Sequence, residues 1–199
     1  MSSHSDLIKK IIQENKGFIT ATQVTNNKIP RRCLTDMVKA GEIYKVGRGI
    51  YALPTVWEDE MFFLQYRYAQ GIFSHGTALY LHSMTDRTPH TYTMTFPFGY
   101  NLSGVKKHGI SPKLALLELY NIGITEKPSP CSNPIRVYDV EKTLCDIVRG
   151  GRNGSDIQLV SQAMKLYAAS PTKNLVKLMG YADKLRVKPK LMSYLEVLL

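Results

Sequence analysis

The sequence has few cysteines and no long apolar run, and each scarcity excludes something. Cys33, Cys131 and Cys145 are odd in number and widely separated. They suit neither a disulfide framework nor the close Cys spacing of a zinc site. No stretch of 18 apolar residues occurs, so no membrane-spanning helix is expected. The opening Met1-Ser-Ser-His-Ser-Asp6 lacks the basic region and apolar core of a secretory signal. The expected compartment is the reducing cytoplasm. Internal repeats and low-complexity tracts are absent too.

What is present is a chain of 199 residues, 44% hydrophobic, enough for one or two domains with buried cores. Its formal net charge is +10, and the excess lies at the two ends. Residues 1–54 hold nine Lys/Arg against four Asp/Glu, and residues 165–199 hold seven against two. Between them, residues 55–164 carry ten of each. Clustered cations attract phosphate polyanions by steering and counterion release. A solvated basic surface would give the same count, so charge alone does not decide.

The first 54 residues read as helix, short helix, turn, helix, hairpin. Leu7, Ile8, Ile11 and Ile12 recur at helical spacing, with Gly17 placed to end that helix. Phe18-Ile19 is a short extended piece. Thr20 can cap a second helix over 21–26, and Pro30 suits the first turn of a third, reaching Ala40. Cys33, Leu34, Met37 and Val38 make the third helix's apolar stripe. Arg31, Arg32, Thr35 and Lys39 fall outside it. The β-prone runs 43–46 and 50–53 flank Gly47-Arg48-Gly49, a hairpin signal.

This order predicts a winged helix-turn-helix, whose second helix presents its N-terminal end to base edges in the major groove. Arg31 and Arg32 stand there, and arginine reads guanine O6 and N7 with two prongs. Arg48, between glycines at the wing tip, can enter a minor groove or meet a phosphate. Lys45 at the wing's base is a phosphate contact. Thr20, Thr22, Gln23 and Lys28 complete the candidate DNA-binding set with Thr35 and Lys39.

Residues 55–199 predict a mixed, largely helical α/β domain, making the whole chain α+β with a boundary at Pro54. Helices are expected over 58–70, 76–84, 140–149 and 156–168, the last two capped by Asp139 and Ser155. Residues 172–198 read as two helices broken near Lys188-Pro189. Strands are expected at Ile72-Phe73, 91–96 and 135–138. The stretch 114–120 fits strand or short helix.

Chemistry-bearing residues in this half form no catalytic or metal motif. His75 and His82 could share a helix face, but no carboxylate or cysteine completes a ligand set. Asp139, Glu141 and Asp146 could suggest two-metal chemistry. Their helical spacing sends Glu141 and Asp146 in different directions, and Asp139 is explained as a cap. The loop 150–155 precedes a helix and suits an anion or a plain connector, without the Gly-Lys-Ser/Thr ending of a P-loop. Near the C-terminus Lys165, Lys184, Arg186 and Lys188 are either phosphate contacts or a solvated helix face. No catalytic residue, metal or cofactor is expected.

Three stretches carry a family likeness: Gly41-Glu-Ile-Tyr-Lys-Val-Gly-Arg-Gly-Ile-Tyr51, Phe73-Ser-His-Gly-Thr-Ala-Leu-Tyr-Leu-His82 and Tyr138-Asp-Val-Glu-Lys-Thr-Leu-Cys-Asp-Ile-Val148. In this order the chain resembles the AbiEi antitoxins of bacterial abortive-infection, type IV toxin–antitoxin systems. The resemblance implies an N-terminal domain that binds inverted repeats in its own promoter as a repressor, with two copies on DNA. It also implies a C-terminal domain that counteracts a cognate nucleotidyltransferase-like toxin without requiring a stable complex, in defence against phage. A DNA-directed enzyme using residues 55–199 on nucleic acid or nucleotides is the first alternative. A winged-helix protein-interaction module is the second.

Overall fold

A computed structural model describes residues 4–55, 59–150 and 156–198. The fold is mixed α+β and divides into two compact units. One comprises Met1–Arg67 with Ser129–Asn133, the other Tyr68–Pro128 with Pro134–Leu199. The first unit thus extends past the Pro54 boundary drawn from the sequence and takes in a distant five-residue loop.

In the first unit α1 (His4–Glu14) buries Ile8 and Ile12. The chain reverses at Gly17, whose φ of 94° suits a residue without Cβ. Its N–H reaches the Ile12 carbonyl at 2.8 Å. β1 (Phe18–Thr20) then leads into α2 (Ala21–Asn26) and α3 (Arg32–Lys39). The hairpin β2 (Tyr44–Gly47) and β3 (Ile50–Ala52) follows. The sequence reads Phe18-Ile19 as a short extended piece returning to the core. It is a strand, antiparallel to β3 in a three-stranded sheet ordered β1-β3-β2. The hairpin differs in detail from expectation. Gly47 pairs with Ile50, a bulge falls between Lys45 and Gly47, and only Arg48-Gly49 is left to turn.

Ile8, Ile12, Ile19, Val24, Leu34, Met37 and Ile43 close one core around these elements. α4 (Glu60–Arg67) belongs to this unit, shorter than the helix expected over 58–70. Its Phe62 and Phe63 rings lie 5.8 and 5.2 Å from the Phe18 ring. Asp59 caps α4 through the Phe62 N–H at 3.0 Å. Asp59 is buried, and Oδ2 also accepts from Ser129 Oγ and from Asn133 Nδ2, the latter at 2.8 Å. These bonds give the carboxylate polar partners that offset the cost of burying it.

The second unit is built on a five-stranded sheet ordered β6-β5-β4-β8-β7. Its strands are β4 (Ile72–Phe73), β5 (Tyr92–Pro97), β6 (Ile110–Ala115), β7 (Ile124–Pro128) and β8 (Pro134–Tyr138). The β4–β8 and β5–β6 pairs are parallel, the β4–β5 and β7–β8 pairs antiparallel. Neither β6 nor β7 was foreseen. The ambiguous 114–120 stretch divides, with β6 ending at Ala115 and α6 spanning Leu117–Tyr120.

α5 (His75–Leu81), α7 (Val140–Arg149), α8 (Ile157–Ala169), α9 (Leu175–Lys184) and α10 (Lys188–Leu198) complete the unit. Leu144, Val148, Val160, Met164, Leu178 and Leu191 are among the residues closing its main core. Asp139 caps α7 through the Lys142 N–H at 2.8 Å, as its position suggested. For α8 the cap is Asp156, accepting from the Leu159 N–H at 3.1 Å. Ser155, expected in that role, lies outside the described residues. The final helical break falls at 185–187, and Pro189 sits in the first turn of α10, where its missing N–H is harmless.

Candidate nucleic-acid interface

The first unit offers a cationic face built on α3 and the hairpin. Leu34 and Met37 anchor α3 in the core, so Arg31, Arg32, Thr35 and Lys39 remain exposed. Arg31 is the residue before the helix, and no side chain caps it. The uncapped start of α3 and the two arginines that open it carry charge of the same sign. Arg31 is oriented: its Nε donates to Thr25 Oγ1 at 2.9 Å. Arg32 is loosely tied, 3.7 Å from Asp36 with its side chain 88% exposed.

Thr20 and Gln23 have a different place. They form a reciprocal capping box, Thr20 Oγ1 accepting from the Gln23 N–H at 3.1 Å and Gln23 Oε1 from the Thr20 N–H at 2.9 Å. Thr20 is buried and Gln23 half-buried, and together they shape the start of α2. Thr22 is exposed, its hydroxyl 3.4 Å from that of Tyr66 on α4. Lys28, in the turn before α3 with φ at 57°, is also exposed.

At the hairpin tip Arg48 is exposed, followed by Gly49 with φ at 78°. The Gly49 carbonyl accepts from the Ala21 N–H at 2.8 Å, fixing the tip against the start of α2. Lys45 is exposed opposite Tyr51. The sequence missed Tyr66 because its contact with Thr22 joins positions 44 apart. Only the position of α4 brings its hydroxyl there.

In the second unit Lys165, Lys184, Arg186 and Lys188 are all exposed. Lys188 is committed to Asp183, 3.1 Å away. The motif residues of α7 bond to one another and to neighbouring helices. Lys142 Nζ bonds both Asp146 oxygens, at 2.7 and 2.8 Å, and lies 4.5 Å from the centre of the Tyr138 ring. Lys177 is 3.0 Å from Asp139 and 3.6 Å from Glu141, and Tyr167 Oη donates to Glu141 at 3.2 Å. His82 Nε2 meets the Tyr138 carbonyl at 2.8 Å. Burial is the main cause lowering its pKa. Among the described residues no group of three or more His, Cys, Asp or Glu is arranged to hold a metal ion. No helix of the described residues is long and apolar enough to cross a membrane.

Residues 6–54 match the model of a family described as transcriptional regulator, AbiEi antitoxin. The AbiEi resemblance therefore holds over the segment that carries the cationic face. Among solved structures, the RV2827C protein from Mycobacterium tuberculosis is similar in fold, with a TM-score of 0.54 at 12% identity. The likeness covers 98% of this chain and 82% of that one. No curated protein matches the chain.

Proposed function

We propose that the chain is a transcriptional autorepressor and antitoxin of the AbiEi type, and that its first unit is a winged helix-turn-helix reading inverted repeats in its own promoter. The observation that carries this reading is the exposed α3 face with Arg31 and Arg32 at its start, beside a hairpin tipped by Arg48. α2 and α3 supply the two helices of the motif, β2 and β3 the wing. Arg31 reads a guanine edge, whereas Arg32, Thr35, Lys39, Lys45, Arg48, Thr22 and Lys28 hold phosphates or sugars. Inverted repeats call for two copies on DNA. The second unit counteracts a nucleotidyltransferase-like toxin without requiring a stable complex, as the AbiEi likeness implies, in phage defence.

The experiment is binding of the full chain to DNA upstream of its own gene and to a scrambled duplex, across a salt series. The expected result is preferential, salt-sensitive binding to the upstream site. Equal affinity for both duplexes at every salt concentration removes the repressor reading and favours a protein-contact role for the first unit.

A further inference from the structure

Two cavities in the second unit differ in how their charges are matched. The larger, about 600 Å³, is lined by His82, Lys127, Asp139, Glu141 and Tyr167. Its polar groups are already engaged, Asp139 and Glu141 with Lys177 and tyrosine hydroxyls, His82 with the Tyr138 carbonyl. The smaller, about 260 Å³, is lined by His75, Thr95, Lys113, Leu114, Ala115, Leu119, Lys142, Asp146, Arg149 and Gly150. Lys142 and Asp146 neutralise each other in its wall. Lys113 and Arg149 are exposed and form no ion pair among the described residues, which leaves its described lining net positive.

A hydrogen-bond relay sets the state of the third polar group. Thr95 Oγ1 donates to Ser74 Oγ at 2.8 Å, so the Ser74 proton is free for His75 Nδ1, 3.1 Å away. With Ser74 as the donor, Nδ1 accepts and the ring proton is carried on Nε2, for which the described residues give no hydrogen-bond partner. Burial, opposed by Asp146 and helped by Lys113 and Lys142, lowers the imidazole to about 4 and keeps it neutral near pH 7. His75 also holds a left-handed backbone, φ 51°, which is uncommon for a residue with a side chain. Such backbones concentrate at ligand sites.

We propose that this cavity binds a small organic phosphate monoester. Its phosphate is held by Lys113, Arg149 and the His75 Nε2–H, and its apolar body by Leu114, Ala115 and Leu119. Cations and one neutral donor suit a dianion, and the volume, near the ~300 Å³ lower end of ligand pockets, limits the body to roughly a nucleoside. The proposal is independent of the repressor reading, since nothing in it involves the first unit.

The test is calorimetric titration of the full chain with the four nucleoside 5′-monophosphates, ribose 5-phosphate and inorganic phosphate. At least one monoester should bind saturably at 1:1 and lose tenfold or more when its phosphate is removed. Lys113→Ala/Arg149→Ala, at two exposed positions, should weaken that binding at least tenfold with an unchanged circular dichroism spectrum. His75→Asn, whose side chain tolerates the same backbone, should weaken it severalfold. A promoter duplex should not displace the monoester. Absence of saturable binding to every probe, undiminished binding by the double variant, or displacement by the duplex, which would assign these cations to DNA, overturns the proposal.

Discussion

Arg31→Ala separates base reading from general attraction, and the structure sets its magnitude. The Arg31 Nε–H is committed to Thr25 Oγ1, leaving the paired terminal nitrogens as the fork that can meet guanine O6 and N7. Loss of one such bidentate contact costs about 1–3 kcal/mol, or roughly 5- to 150-fold in Kd on the preferred site. On a scrambled duplex the loss should be only that of one phosphate-range charge. Thr25→Val removes the orienting bond but not the charge. It should cost about 1 kcal/mol on the preferred site, near the net worth of one hydrogen bond, and almost nothing on the scrambled one. Fluorescence anisotropy with both duplexes at two salt concentrations reads all four quantities. An equal loss on both duplexes for Arg31→Ala would show that Arg31 meets phosphate and that base reading lies elsewhere on α3.

Arg32→Ala and Lys45→Ala should each weaken binding on every sequence and lower the salt slope by about 1, measured on the same duplexes. An unchanged slope removes that residue from the interface. Asp59→Ala removes the α4 cap and leaves Ser129 and Asn133 without their shared acceptor. It should cost about 2–3 kcal/mol in urea denaturation of the full chain. For His75 burial lowers the pKa from 6.5 to about 4, so the unfolded chain takes up a proton that the folded one refuses. Its contribution is intact above pH 6.5 and is lost as pH falls through 4, by about 1–3 kcal/mol. His75→Asn should flatten the urea midpoint across that window. Lys142→Ala should destabilise by about 3–5 kcal/mol by stranding Asp146. Lys142→Met with Asp146→Leu should recover most of that loss, read by thermal unfolding.

Elements with strong local signals were legible in the sequence. α7 occupies 140–149 as read, because Asp139 caps it and its apolar positions recur at helical spacing. α2 spans 21–26 because Thr20-x-x-Gln23 is a capping box. That motif also gives Gln23 a local role: a Thr/Gln pair three apart signals reciprocal capping. β6 and β7 were illegible for a different reason. They are the two edge strands, where prolines such as Pro112 and Pro128 are tolerated and only Ile110 of the eleven residues is buried. Asp59 was overlooked because its partners stand 70 and 74 positions away. The boundary at Pro54 followed composition, whereas the Phe18 contacts with Phe62 and Phe63 hold α4 in the first unit.

The Tyr138–Val148 stretch is one of two in the second unit on which the AbiEi resemblance rests, and the charged side chains it places on α7 are buried. Residues 141 to 148 are all buried, so the charged ones among them require internal partners. Lys142 has Asp146 and the Tyr138 ring, while Glu141 has Tyr167 and Lys177. Gly123 fits the same packing, since a Cβ there would stand 2.7 Å from Lys142 Cβ. A motif that acted on an external substrate would need at least one group with bonding capacity left. Each of these charged groups has an internal partner, which ties α7 into its core. The groups with capacity to spare, His75, Lys113 and Arg149, lie on α5, on edge strand β6 and at the end of α7. They meet only where the sheet brings the start of α5 and the end of β6 beside that helix. The proposed phosphate site therefore rests on a juxtaposition across the fold, to which the Phe73–His82 stretch contributes His75 and β6 and the end of α7 contribute the two cations.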